Sequence, residues 1–333
     1  MNNTAQGGNK TRVLIVKLSS LGDLFHSLPA VRMLKTQLNA TIDWVTQTEY
    51  AGLVKCFTDV DRVIAFPRRR KQGSRFRFLL DLRKFRYDYI IDLQGLMKSA
   101  LIGRLARGAR RIGPSYHREG AGMFYSSLAG EKNKNRHAVD ENLDVIAHLG
   151  LEITAPEFPV VFPDLPVEHP SPRIALAPVT RWKTKCWPAV NFSSVGRMLS
   201  ERIGASIYLL GSGEDTEVCR RIGEDIGGPV ANLVGRSSLV ELGSLISKMD
   251  AVVSNDSGPM HIAAAVGVPV VAVFGPTDPR RTGPFGQIER VLIGRRSCQP
   301  CMERTCRFGP AACMHEITPA MAADAVVRIV KGH

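Results

Sequence analysis

Long apolar runs are missing from this chain. No run approaches the roughly 20 residues that cross a bilayer, which excludes a helical membrane span. Cysteine is scarce, seven in 333 residues, too few to staple a chain of this length and in keeping with a reducing compartment. Aromatic residues make up only 7 % and are not interleaved with cations in the pattern of an RNA-recognition sheet, which argues against a nucleic-acid-binding module and predicts no nucleic-acid partner. The spacing Gly-x-Gly-x-x-Gly does not occur, and "GSGEDTE" (211–217) does not supply it, so a nicotinamide dehydrogenase is disfavoured. The stretch 1–11 is polar and lacks the apolar core of an export signal; it reads as a disordered leader of a cytoplasmic protein.

Negative charge is also short, 31 Asp and Glu against 44 Lys and Arg, and the imbalance is uneven. Residues 1–160 carry 25 basic and 15 acidic side chains, and the remainder carries 19 and 16. The density peaks between Arg68 and Arg111, with 14 basic residues and three aspartates. A face of that kind attracts phosphates, acidic sugars or anionic lipid.

Short apolar runs alternate with helical patterns throughout. In the first half the strand-like runs are 12–17, 41–46, 62–66 and 89–94; in the second they are 173–178, 206–211, 251–255, 269–275 and 290–294. Helical patterns follow at 188–203, 214–225, 238–249 and 258–266. Strand, helix, strand at this spacing predicts a parallel sheet in each half. Between them "APEFPVVFPDLPVEHPSP" places six prolines in residues 155–172. Proline removes backbone donors and fixes φ, so this stretch reads as a linker between domains 12–154 and 173–333. The last helix, "TPAMAADAVVRIVK", is expected to be able to pack back on the first domain. Phe76, Phe78 and Phe85, set among arginines, read as the buried face of one helix.

Two doubly wound domains bind ligands beyond the carboxyl ends of their strands, so the turns there carry the chemistry. "VLIVKLSSLGDLFHSLPAVRMLK" (13–35) puts Ser19, Ser20, Gly22 and Asp23 at a strand-to-helix turn, between Lys17 and His26. Asp23 or Ser20 caps that helix, or Asp23 serves as a general base; the turn alone leaves both open. "VTRWKTKCWP" (179–188) brings Thr180 and three cations, Lys185 among them, to a strand end where a diphosphate could be neutralised. "NDSGPMHIAAA" (255–265) offers free N–H groups at Ser257 and Gly258, with His261 one turn on.

Taken together, V-K-L-S-S-L-G-D-L-F-H-S-L-P, R-W-K-T-K-C-W-P, N-D-S-G-P-M-H-I-A-A-A and F-G-P-T-D-P stand in the order found in the ADP-heptose:lipopolysaccharide heptosyltransferases of glycosyltransferase family 9, which this chain resembles from residue 12 to its end. "IDLQGLMKSA" (91–100) and "RHAVDEN" (136–142) look most like heptosyltransferase I; heptosyltransferase II or a relative with another acceptor is the alternative. The resemblance implies a GT-B α/β fold, two Rossmann-like domains facing a central cleft. It implies an inverting transfer of heptose from ADP-heptose to the Kdo region of the lipopolysaccharide inner core, with no catalytic metal and no required cofactor. Asp23 would be the catalytic base, and Lys185 would steady the departing ADP. Thr180, Asp215, Asp256, Ser257, Gly258 and His261 would hold the donor, with Glu214 a rival to Asp215. Ser19, Ser20 and Gly22, together with Arg68, Arg69, Arg70 and Lys71, would face the acidic acceptor. Such an acceptor, Kdo-lipid A, would place the enzyme peripherally on the cytoplasmic leaflet of the inner membrane.

Near the end Cys298, Cys301, Cys306 and Cys313 form C-x2-C-x4-C-x6-C. Reduced thiols, a structural zinc site and redox chemistry all remain open for this cluster.

Overall fold

The structure is a computed structural model of the chain, describing residues 10–68, 74–133, 135–228, 230–309 and 312–332. Of the predicted acceptor cations, Arg69, Arg70 and Lys71 lie outside the described residues, as does most of the 1–11 segment. The chain divides into two compact units at Val161/Phe162, inside the proline-rich stretch.

The first unit holds strands β1 (Arg12–Val16), β2 (Thr41–Gln47), β3 (Arg62–Phe66), β4 (Arg86–Asp92), β5 (Arg107–Pro114) and β6 (Ser127–Ala129). Its helices are α1 (Leu21–His26), α2 (Leu28–Gln37), α3 (Ala51–Val54), α4 (Ser74–Arg83), α5 (Met97–Leu105) and α6 (Ala138–His148). The strands form one parallel sheet in the order β3-β2-β1-β4-β5-β6. β1 is central and buried on both faces, which is why it reads as a continuous apolar run. Leu14 and Val16 meet Phe78 and Leu82 of α4 and Ile102 of α5, while Val13 and Ile15 alternate to the other face.

Sequence periodicity missed β5, whose "RGARRIGP" carries four polar or glycine residues in its first five and is half exposed near a sheet edge. The phenylalanine reading also fails. Phe78 is 7 % exposed but Phe76 is 69 % exposed, because residues two apart on a helix point to opposite faces. Phe85 lies past the helix end, partly buried under the Arg12 guanidinium at 3.8 Å. Asp59 and Asp61, a D-x-D pair in form, are engaged by Arg32 at 3.1 Å and Lys35 at 2.6 Å of α2.

The second unit repeats the plan. Strands β7 (Arg173–Ala177), β8 (Ser206–Leu209), β9 (Val230–Asn232), β10 (Ala251–Asn255), β11 (Val270–Phe274) and β12 (Val291–Ile293) pair in parallel as β12-β11-β10-β7-β8-β9. The helices are α7 (Ala189–Ile203), α8 (Thr216–Ile226), α9 (Leu239–Ile246), α10 (Gly258–Ala265), α11 (Pro279–Thr282) and α12 (Pro319–Lys331). Ala322, Ala323 and Val326 of α12 are fully buried in the second unit's own core, with α7 and α8. An Arg202–Asp324 ion pair at 2.8 Å ties α12 to α7. The small alanines allow the close approach that its position in the chain did not disclose.

Within the first sheet, Asp43 on β2 is fully buried. Its Oδ2 accepts from Arg62 Nη2 at 2.7 Å and Nε at 3.1 Å and from the Tyr87 hydroxyl at 2.7 Å. Burial first, then the Asp43 carboxylate, pushes the Tyr87 hydroxyl well above its ordinary pKa, so it stays a donor. Tyr87→Phe keeps the ring and removes one bond to a charged acceptor. It is expected to lower the unfolding free energy by about 1–2 kcal/mol, read by urea denaturation at unchanged m.

Candidate active site

Both sheets reverse strand order between their first and fourth strands, β1/β4 and β7/β10, and loops leaving the carboxyl ends there form the natural binding crevice of each unit. Asp23 and its neighbours lie at the first of these places and Thr180, Lys185, Asp256, Ser257, Gly258 and His261 at the second, whereas Arg68 follows β3 and Asp215 follows β8.

In the first unit, β1 runs into Lys17, Leu18, Ser19 and Ser20, and α1 begins at Leu21. Asp23 is half-buried in the first helical turn. Its Oδ2 accepts from the Ser20 backbone N–H and the Ser20 hydroxyl, both at 2.8 Å. The capping interpretation is thus realised, and it fixes the carboxylate: among the described residues Oδ1 takes no hydrogen bond and is left to accept a proton. Gly22 is buried beside it. Across the crevice, Gln94, just past β4, receives the N–H groups of Leu18 at 3.0 Å and Ser19 at 3.1 Å on its Oε1. Gln94 is itself set by an Asp92 turn, whose Oδ1 accepts from the N–H of Gln94 at 2.7 Å and of Gly95 at 3.0 Å.

Beneath this loop lies a buried charged layer. Lys17 is 5 % exposed and donates from Nζ to the Leu93 carbonyl. Burial pulls its pKa down, opposed by the carboxylates of Asp23, Asp92 and Glu141. Tyr125 donates to Asp92 Oδ2 at 2.8 Å and Tyr116 to the Leu93 carbonyl at 3.0 Å. His26 is buried edge-on against His137, with ring centroids 5.2 Å apart. Arg68 is exposed after β3 and stands 3.7 Å from Glu49.

In the second unit the crevice is closed by Asn255 as Gln94 closes the first. Its Oδ1 accepts from Trp187 N–H at 3.0 Å and its Nδ2 donates to the Pro178 carbonyl at 2.6 Å, joining the loops after β7 and β10. Lys185 Nζ meets Asp256 Oδ2 at 2.6 Å and lies 4.8 Å from the Trp182 ring centroid. The same carboxylate oxygen accepts from Thr277 Oγ1, also at 2.6 Å. Thr180 donates to the Asp256 carbonyl at 3.4 Å. Asp256, 6 % exposed, therefore holds the lysine and the Thr277 hydroxyl through the one oxygen.

Ser257 is the N-cap of α10; the N–H groups of Gly258 and Met260 lack intrahelical partners, and Pro259 between them carries none. His261 lies half-buried in its second turn. At the end of β8, Asp215 repeats the Asp23 arrangement: Oδ2 accepts from Ser212 N–H and Oγ at 2.7 Å each. Glu214 beside it is exposed and, among the described residues, forms no hydrogen bond or ion pair.

The four clustered cysteines line one cavity of about 20 Å³ with Thr184, Pro276, Arg296, Glu303 and Phe308. Their loop is stitched behind the lysine turn by Thr184 Oγ1 to the Glu303 carbonyl at 3.0 Å and Met302 N–H to the Pro276 carbonyl at 2.8 Å. All four thiols are free, and burial raises the Cys313 thiol. Among the described residues no group of three or more His, Cys, Asp or Glu side chains is arranged to hold a metal ion. The residues that the sequence analysis did not single out are Gln94, Asn255 and Thr277. Each lies inside a quoted motif, but their roles depend on contacts between loops far apart in the chain.

The family model for glycosyltransferase family 9 (heptosyltransferase) matches residues 75–312. Lipopolysaccharide heptosyltransferase 1 of Pseudomonas aeruginosa is 31 % identical over 318 residues, covering 90 % of this chain and 88 % of the relative. The enzyme of the same name from Escherichia coli K12 is 31 % identical over 305 residues, 86 % of this chain and 94 % of the relative. Among solved structures, E. coli heptosyltransferase WaaC with ADP-2-deoxy-2-fluoro heptose superposes with a TM-score of 0.75 at 26 % identity, covering 97 % of this chain and 99 % of that one. With the ordered motifs lying at the carboxyl ends of two doubly wound sheets, the chain belongs to glycosyltransferase family 9, and it is a glycosyltransferase.

Proposed function

We propose that this enzyme transfers heptose from ADP-heptose to the Kdo region of the lipopolysaccharide inner core, with inversion and without a catalytic metal, at the cytoplasmic face of the inner membrane. The observation that carries the reading is the pair of prepared loops: a capped carboxylate with one unengaged oxygen after β1, and a lysine held by Asp256 and Thr277 after β7. In this scheme Asp23 Oδ1 takes the proton of the acceptor hydroxyl as its oxygen bonds to the anomeric carbon. The bond from that carbon to the diphosphate breaks, and its electron pair leaves with ADP. Lys185 and the free N–H groups at the start of α10 offset the charge that grows on the diphosphate. Thr180, Ser257, Gly258 and His261 stand around that position on the donor side. For the ribose, Asp215 keeps the oxygen that the Ser212 cap does not engage, and exposed Glu214 beside it is the alternative. Arg68 adds a cation on the acceptor side.

The deciding assay is ADP release by the purified protein with ADP-heptose and Kdo2-lipid A in EDTA. Release requiring both substrates and surviving the chelator is expected. Activity only on an already heptosylated core would move the enzyme one step along, and arrest by EDTA would reject the metal-free scheme.

Asp23→Asn keeps an oxygen for the Ser20 donors but cannot accept the proton. Its kcat is expected to fall about 10²–10⁴-fold with ADP affinity unchanged, measured by steady-state kinetics and calorimetry. Near-normal turnover would remove Asp23 as the base. Thr277→Val deprives Asp256 of one donor and loosens the seat of Lys185. It should raise the KM for ADP-heptose more than that for the acceptor, whereas Lys185→Ala should lower kcat as well.

A further inference from the structure

We infer that α4 and α5 together form the surface by which the first unit docks on an anionic phospholipid bilayer. The inference deepens the proposed function by naming the contact surface, and it rests on that reading only for why a bilayer is nearby.

The first observation is the failed prediction for Phe76. α4 presents Phe78 and Leu82 to the sheet, so its opposite stripe should be polar. That stripe instead holds Phe76, 69 % exposed, and Leu80, 57 % exposed, one turn apart. The neighbouring helix does the same: α5 buries Ser99, Ala100, Ile102 and Gly103 and exposes Leu101 and Leu105. α4 and α5 pack against each other on the same side of the sheet, so the two stripes belong to one side of the unit. Single exposed leucines need no explanation, but four large apolar side chains on two adjoining helices do.

The second observation is charge. Exposed Arg75, Arg77, Arg83 and Lys84 flank the α4 stripe, and exposed Lys98 and Arg104 flank that of α5. Between Ser74 and Arg86 the only acid is Asp81. A second protein copy would bring the same positive charge to itself and be repelled. An anionic headgroup layer complements it, with phosphates on the guanidinium and ammonium groups and apolar tips below them. Position supports the same partner. Both helices start at the carboxyl edge of the sheet, the edge from which α1 carries Asp23, so docking keeps that edge beside the bilayer that would hold a lipid-linked acceptor.

The test is flotation of the full-length protein with vesicles of phosphatidylethanolamine containing about a third phosphatidylglycerol, and with pure phosphatidylcholine vesicles. Binding to the first and not the second is expected. Phe76→Ser/Leu80→Ser should weaken it at least about tenfold, since each apolar tip is withdrawn from the interface. Arg75→Glu/Arg77→Glu should weaken it comparably and remove its salt dependence. Neither pair belongs to the proposed catalytic machinery, so transfer to a deacylated, water-soluble acceptor should be unchanged in both, which also shows that the variants are folded. Absence of vesicle binding by the parent protein, or equal binding by parent and variants, overturns the proposal. So does a parent dimer that the serine pair converts to monomer, which would assign the stripe to a second copy. Vesicle binding lost in the variants of a protein that releases no ADP would uphold the docking surface and reject only the named reaction.

Discussion

Everything functional in each unit depends on one topological constraint, the reversal of strand order between the first and fourth strands. Neighbouring loops must diverge there, and divergence leaves backbone N–H and C=O groups without ladder partners. A side-chain amide answers that need in both halves. Gln94 takes the N–H groups of Leu18 and Ser19; Asn255 takes that of Trp187 and donates to the Pro178 carbonyl. Asn and Gln carry donor and acceptor together on a neutral amide head, so they can close such a gap without adding charge. Asp23, Lys185 and Asp256 then lie within four positions of a fixed backbone.

Capping completes the arrangement. Ser20/Asp23 and Ser212/Asp215 are the same S-x-x-D device, and in both a single Oδ2 receives the serine N–H and hydroxyl. A cap and a base are therefore not rival roles for Asp23. A carboxylate has more acceptor capacity than the cap consumes, and engaging one oxygen orients the other. Asp215 shows the same cap at the end of β8, whereas Asp23 follows β1 at a switch point, so position and not the cap distinguishes the two.

Much of this was legible in the chain. Strict strand and helix spacing exposed two parallel sheets, and the six prolines of 155–172 bracket the boundary between the units. Turn motifs after β1, β7 and β10 pointed to Asp23, Lys185 and the start of α10. What escaped was of two kinds. Strands at a sheet edge, such as β9, or next to one, such as β5, bury too little to need an apolar run, so periodicity has nothing to report. The partners Gln94, Asn255 and Thr277 act across separations of 21 to 77 residues, and no local pattern encodes such a pairing. The apparent burial of Phe76 was a different error: composition suggested an apolar face where helical geometry forbids one.

The Lys185–Asp256 pair carries the remaining consequence. At first sight a lysine already neutralised by a carboxylate is a poor phosphate ligand. Yet a free lysine would sample many rotamers, and ordering its stem on binding would offset part of the attraction gained. Asp256 removes that freedom in advance, and Thr277 fixes Asp256 in turn. The ammonium has three donors, so an approaching phosphate oxygen can take another without breaking the first contact. Positive charge beyond cancellation comes from the unpaired N–H groups of α10, which begins directly after the same aspartate. The D-S-G sequence therefore does two jobs with three residues: the aspartate orders the lysine, and the two that follow open α10.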